Sequence, residues 1–186
     1  MVPSTAMCSV RMICCGFAND QHPTATTLEQ PLILFDIPGF ETIRIEHVLL
    51  DYNGTIAVDG TLAPGAAELI SALSQHAHVV VLTADTYGTV TEQCEPLGVE
   101  VFTFPRADAA QFKESFTKEL QGQVACLGNG RNDALMFDQA ALSIMVMDGE
   151  GACAALVPHA DILVRSCTEG LSLLLNPDRV RATLRS

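Results

Sequence analysis

Short runs of β-branched and aliphatic residues alternate along this chain with segments of helical spacing, and that alternation admits few folds. TIRIEHVLL, HVVVLTAD, VEVFTF, QVACLGNG, LSIMVMD and ADILVRS each read as a strand. Between the first two, APGAAELISALSQ opens with a proline and places Ala66, Leu69, Ile70 and Leu73 on one helical face. TYGTVTEQCEPLG reads as a helix closed by Gly98, and DAAQFKESFTKEL and NDALMFDQAA as two more. The tail TEGLSLLLNPDRVRATLR is helical with an interruption at Pro177. Ahead of all these, PLILFDI and the turn at Pro38-Gly39 lead into the strand that ends before Asp51, and a polar turn at Asp59-Gly60 follows it. Strand and helix in this order predict an α/β domain, a mainly parallel sheet covered by helices on both faces. In such sheets ligands lie outside the carboxyl ends of the strands, where Asp51, Thr83 and residues 128–133 emerge.

At 186 residues the chain holds one domain of ordinary size, which we assign to residues 31–186. Residues 1–30 are rich in Thr, Ser, Ala and Pro without a sustained period, and read as a poorly ordered extension. Their start, MVPSTAMCSVRMICCGF, has one arginine and a short apolar patch but lacks a clear small-residue cleavage site, so a cytoplasmic extension is expected rather than a secretory signal. No apolar stretch reaches the roughly 18 to 20 residues of a membrane span. The formal net charge of −12 repels a nucleic-acid backbone, and a phosphate site in such a field needs local positive charge. The seven cysteines, Cys8, Cys14, Cys15, Cys94, Cys126, Cys153 and Cys167, frame no zinc spacing and are expected to be reduced and structural. Cys8, Cys14 and Cys15 cluster, with His22 the first histidine near them, which is a weak basis for metal binding.

In LLDYNGTIAVDG a carboxylate directly follows an apolar strand, and Gly54 and Thr55 then let the backbone turn and offer N–H groups to an anion. A strand ending in an Asx turn fits the same residues. Thr83 stands just past a second strand, QFKESFTKEL offers Lys113 and Lys118, and GNGRNDALM is a glycine-rich segment leading into a helix, where Asn132 or Asp133 also fits as a cap.

Taken together and in this order, Asp51 to Thr55, Thr83, Lys113 and GNGRND resemble the four motifs of the haloacid dehalogenase (HAD) superfamily. The likeness covers residues 31–185 and is nearest to the soluble P-type ATPase-like phosphatases. It implies a Rossmann-like three-layer α/β/α sandwich without a large cap domain, because only about thirty residues separate Asp51 from Thr83 and Thr83 from Lys113. It implies Asp51 as the nucleophile that forms an aspartyl phosphate, Thr83 as a hydrogen-bond donor to the phosphoryl oxygens and Lys113 as the neutralising cation. Lys118 is expected on the surface. Asn53, Gly54, Thr55 and Ala84 would line the phosphoryl group. Mg²⁺ would be held by Asp51, Asn53 through its backbone carbonyl, and Asp133, with Asn129 at the same segment.

Two positions depart from the family pattern. Asn53 stands where an aspartate usually exchanges protons with the leaving group and water, and Asn129 where the fourth motif usually has a carboxylate. Turnover is expected to be slow and Mg²⁺ binding weaker. His47, His76, Asp59 and Asp85 are other candidates for the missing base. P-type ATPases also carry a non-acidic residue at the position of Asn53, but ion pumping is excluded here by the want of membrane helices and a nucleotide-binding insert. The expected activity is hydrolysis of phosphate monoesters, on a small phosphorylated molecule or a phosphoprotein. A regulatory phosphate-binding protein or a phosphotransferase are the alternatives. Capless members tend to close their sites by oligomerising, which makes a homo-oligomer a further expectation, with LSLLLNP and residues 35–40 as candidate interfaces, although the leucines also suit a core.

Overall fold

The structure is a computed structural model and describes residues 32–84 and 88–185 of the chain. The expected extension over residues 1–30, its three cysteines and Asp85 lie outside the described residues. Nine strands are present among the described residues: β1 (Ile33–Phe35), β2 (Ile43–Asp51), β3 (Ala57–Val58), β4 (Thr61–Leu62), β5 (His78–Thr83), β6 (Glu100–Thr103), β7 (Gln123–Gly128), β8 (Leu142–Val146) and β9 (Ile162–Val164). The helices are α1 (Ala66–Leu73), α2 (Val90–Cys94), α3 (Ala109–Glu119), α4 (Ala134–Phe137), α5 (Cys167–Leu174) and α6 (Pro177–Leu184). The main sheet runs β6-β5-β2-β7-β8-β9, all parallel, with β1 antiparallel to the start of β2.

β2 sits between β5 and β7, and its Val48, Leu49 and Leu50 are all fully buried, as an apolar strand covered on both faces requires. Alternate residues feed two cores. Val48 and Leu50 pack with Val79, Val81 and Leu127 against Ile70 of α1 and Leu171 and Leu174 of α5. Leu49, Val80 and Cys126 face Phe104, Ala109 of α3 and Met136 of α4 on the other side. The result is the three-layer sandwich expected from the sequence, with Asp51 at the carboxyl end of its central strand.

Four local readings change. The helix read over residues 86–98 is described only over Val90–Cys94, continued by a 3₁₀ turn at Glu95–Leu97 that contains Pro96. The helix read from residue 132 begins as a 3₁₀ turn, Arg131–Asp133, and α4 adds only four residues. Pro177 does not interrupt a helix but starts α6 at the position where its missing N–H is harmless. The polar turn at Asp59-Gly60 is the tip of a hairpin, β3 with β4, in which both turn residues have positive φ, 50° and 74°.

Leu171 and Leu174 are buried and Leu173 and Leu175 pack against the core, so the LSLLLNP leucines serve packing; of the other candidate interface, Phe35 is buried and Phe40 is 62% exposed. Among the described residues no helix is long and apolar enough to cross a membrane. The four described cysteines are free. Burial pushes the thiols of Cys94 and Cys167 up to about 11, and that of Cys126 higher still. Of these four, half-buried Cys153 is expected to be alkylated first in the native protein, read by mass mapping of peptides. Labelling of Cys126 at a comparable rate would show that β7 is open to solvent.

Candidate active site

Where β2 ends, the chain winds tightly around one carbonyl. Tyr52 O accepts from the N–H groups of Thr55, Ile56 and Ala57 at 3.2, 3.0 and 2.9 Å, and Gly54 N–H donates to Ala57 O at 2.7 Å. Gly54 has φ +78°, and a Cβ there would come within 2.1 Å of Asn129 Nδ2, so both conformation and space call for glycine. One expectation is corrected by this winding: the N–H groups of Gly54 and Thr55 are donated within the turn and are not turned toward an anion. Thr55 instead offers its hydroxyl, 3.0 Å from Asp51 Oδ2 and 3.2 Å from Asn129 Oδ1. One proton serves one of these acceptors at a time.

Lys113 comes from α3, where the apolar face carries it inward until it is fully buried. Its Nζ lies 2.5 Å from Asp51 Oδ1 and 2.5 Å from Asp133 Oδ1, with the Phe104 ring centroid 5.9 Å away. Lys118 pairs with Glu114 on the surface. Asp133 is fully buried in the 3₁₀ turn after β7, and its Oδ2 accepts from the N–H groups of Asn129 and Gly130 at 3.0 and 2.8 Å. A Cβ at residue 128 would meet Asp133 Cγ at 2.6 Å, which accounts for glycine at the end of β7. Each Asp133 oxygen therefore already has a protein partner. Asn129 is likewise tied, its Nδ2 donating to Gly151 O at 2.9 Å and its Oδ1 accepting from the Thr55 hydroxyl.

Two carboxylates share one ammonium, which leaves one negative charge in a buried place. Burial pushes the Asp51 carboxyl up to about 6; the charge of Asp133 adds to this, while Lys113 and the Thr55 hydroxyl oppose it. For Lys113, burial disfavours the ammonium, but the charges and hydrogen bonds of Asp133 and Asp51 outweigh it and hold the amine above its ordinary value. Removing that ammonium sets two buried carboxylates against each other. Lys113→Met is accordingly expected to cost about 3–5 kcal/mol of unfolding free energy in denaturant melts, with part regained on adding Asp133→Asn. An unchanged midpoint would show that the amine is not enclosed.

Thr83 ends β5 beside Asp51, since Asp51 pairs with Leu82, and it is buried; Ala84 follows it, half-buried. Asn53 is half-buried, and its Oδ1 is enclosed without a hydrogen-bond partner. The other suggested bases do not join this group. His47 lies at the far end of the sheet, 2.8 Å from Gln121 O and opposite His78, the first residue of β5. His76 lines a groove with Ile33, Leu174 and Pro177, and Asp59 is exposed at the hairpin tip. In the sequence only the Asp59-Gly60 pair signals the hairpin, because strands of two residues each carry no periodicity.

No family model matches the chain. It is 40% identical over 63 residues to the uncharacterized protein MJ0073 of Methanocaldococcus jannaschii, covering 34% of this chain and 68% of that one. It is 46% identical over 39 residues to the uncharacterized protein MJ0072 of the same organism, covering 21% and 89%. Among solved structures it is similar to the cobalt-bound deoxy-D-mannose-octulosonate 8-phosphate phosphatase of Haemophilus influenzae, with a TM-score of 0.58 at 15% identity over 76% of this chain and 94% of that one. It is also similar to the 3-deoxy-D-manno-octulosonate 8-phosphate phosphatase of Moraxella catarrhalis in complex with a magnesium ion, a phosphate ion and KDO, with a TM-score of 0.55 at 17% identity over 76% and 94%. The parallel sheet with Asp51 at its central strand end has the fold of the haloacid dehalogenase superfamily. The chain belongs to one family with the two Methanocaldococcus proteins.

Proposed function

We propose that this protein is a hydrolase of phosphate monoesters in which Asp51 is the nucleophile. One observation carries the reading: a buried carboxylate at the end of the central strand, held between the Lys113 ammonium and the Thr55 hydroxyl. Held there, the Asp51 carboxylate would attack phosphorus, forming an aspartyl phosphate as the ester P–O bond breaks. Lys113 offsets charge on Asp51 and on the incoming phosphate, and Thr83, at the end of the adjacent strand, would donate a hydrogen bond to the phosphoryl oxygens. The departing oxygen would take its proton from solvent, because the Asn53 amide has none to give. Water would then attack phosphorus, releasing inorganic phosphate and restoring Asp51.

The fold family implies Mg²⁺, and the residues fit it through hard oxygens alone. Among the described residues no three of His, Cys, Asp and Glu gather as a metal site, so a cation here depends on amide and backbone oxygens beside the two carboxylates that share Lys113. Asp51, the Asn53 backbone carbonyl, Asn129 Oδ1 and Asp133 are the donors we assign, and the buried Asn53 Oδ1, unpartnered in the protein, marks polar space at the same turn. When bound, the cation would screen charge on the phosphoryl oxygens. Asn129→Ala is expected to weaken Mg²⁺ binding about tenfold in calorimetric titration, with an unchanged dissociation constant removing Asn129 from the set.

The substrate is a small phosphorylated molecule or a phosphoprotein, in the cytoplasm and with pairing of two copies as a means of closing the site. A second reading, a phosphotransferase or regulatory protein whose phosphoenzyme persists, is favoured by the amide at Asn53. Incubation with an aryl phosphate, with Mg²⁺ or with a chelator, tests both. Release of phosphate supports hydrolysis; a hydroxylamine-labile phosphoprotein without release supports the second. Neither product, at any metal level, would exclude Asp51 as a nucleophile.

A further inference from the structure

β3 and β4 have two residues each, and a hairpin of that length does not hold itself together in water. Yet it is joined directly to the nucleophile turn: Ala57 O accepts from Gly54 N–H, and Ala63 N–H donates to Ile56 O at 3.0 Å across its base. Its free edge presents Gly60 C=O and Leu62 N–H, groups two residues apart that a third strand would take. Gln93 of α2 takes them. Its Oε1 accepts from Leu62 N–H at 2.7 Å and its Nε2 donates to Gly60 O at 2.5 Å, so that one side-chain amide stands in for a neighbouring peptide. Thr89 Oγ1, at 2.6 Å, and the Tyr52 hydroxyl, at 3.2 Å, converge on the same carbonyl. On the opposite edge Asp59 N–H donates to Glu150 Oε1 at 2.8 Å, and the Val58 methyls lie 3.0 and 3.1 Å from where a Cβ on Gly149 would be.

We propose that Gln93 is a positioning residue for the Asp51 site: as a substitute strand it fixes the hairpin and, through it, the Thr55 hydroxyl that orients the Asp51 carboxylate. The path is continuous, from Gln93 to Gly60 and Leu62, across the hairpin to Ile56 and Ala57, and from there to Gly54 against Asn129 and Thr55 against Asp51. Its catalytic consequence rests on the reading of Asp51 as the nucleophile; the positioning itself does not.

Gln93→Leu removes both hydrogen bonds, and Gln93→Glu keeps the acceptor for Leu62 while losing the donor for Gly60. In Gln93→Leu the Leu62 amide should exchange with solvent about tenfold faster or more, with β7 amides unchanged. The Asn129 side-chain amide resonance should shift, because Gly54 packs on it. With an aryl phosphate, kcat should fall about tenfold while KM stays within about twofold, since orientation rather than binding is disturbed. Gln93→Glu should fall between wild type and Gln93→Leu in all three. Unchanged Leu62 exchange, or faster exchange with an unmoved Asn129 signal, overturns the proposal. Should wild type prove inert on every ester, the Asp51 reading fails, and Gln93 is still decided by the exchange and Asn129 measurements.

Discussion

Asp51→Asn is expected to lower turnover of an aryl phosphate by about 10⁴-fold or more while the protein stays folded. The amide keeps the volume of the carboxylate and can still accept from Lys113 through its oxygen, with the Thr55 hydroxyl turned to accept from its NH₂, but it lacks the anionic oxygen that attacks phosphorus. Folding should not suffer. The Asp51 carboxyl is raised from 3.8 to about 6 chiefly by burial, so its ionised form is disfavoured in the native state. A group raised in this way contributes stability that is fully present below its unfolded value and lost as pH rises through about 6. Metal-free wild type should therefore gain stability as pH falls from 6 toward 4, and Asp51→Asn should lack that gain, read from denaturant midpoints at both pH values. Turnover with Mg²⁺ bound should fall only at lower pH, because a cation on Asp51 favours the ionised nucleophile. A variant that keeps substantial phosphatase activity would end the aspartyl-phosphate mechanism for this chain.

The residues that meet at the site were legible because each sits at a strand end or on a helix face that simple periodicity identifies. Asp51 and Thr83 follow apolar runs, and the spacing of α3 turns Lys113 inward but Lys118 toward Glu114 and solvent. Side-chain partners were not legible. That the N–H groups of Asn129 and Gly130 both donate to Asp133 Oδ2 is set by the backbone of the GNGRND turn, which residue spacing alone does not state. Likewise the motif says that Gly54 permits a turn, but not that the turn spends its N–H on Ala57 O. The hairpin escaped for a related reason. Strands of two residues carry no periodicity, and their stability comes from Gln93, some thirty positions along the chain.

Asn53→Asp is expected to change which esters are cleaved more than how tightly they bind. A poor leaving group must be protonated as it departs, and general acid catalysis of this kind is commonly worth about 10²- to 10⁴-fold. The amide supplies no proton. Wild type should therefore cleave aryl or acyl phosphates, whose leaving groups are stable anions, at least about a hundredfold faster than alkyl phosphates. Asn53 is half-buried with its Oδ1 enclosed and unpartnered, so a carboxyl oxygen can occupy the same place without displacing a hydrogen bond. Burial there would also favour the protonated form that an acid catalyst needs. In Asn53→Asp the gap between aryl and alkyl esters should narrow, and hydrolysis of the phosphoenzyme should quicken as the conjugate base takes a proton from water. Rates on one aryl and one alkyl phosphate, with a chase of the labelled phosphoenzyme in both proteins, give the comparison. Equal handling of the two esters by wild type would mean that another group already delivers the proton. Asn53 would then not be the defect that sets the rate.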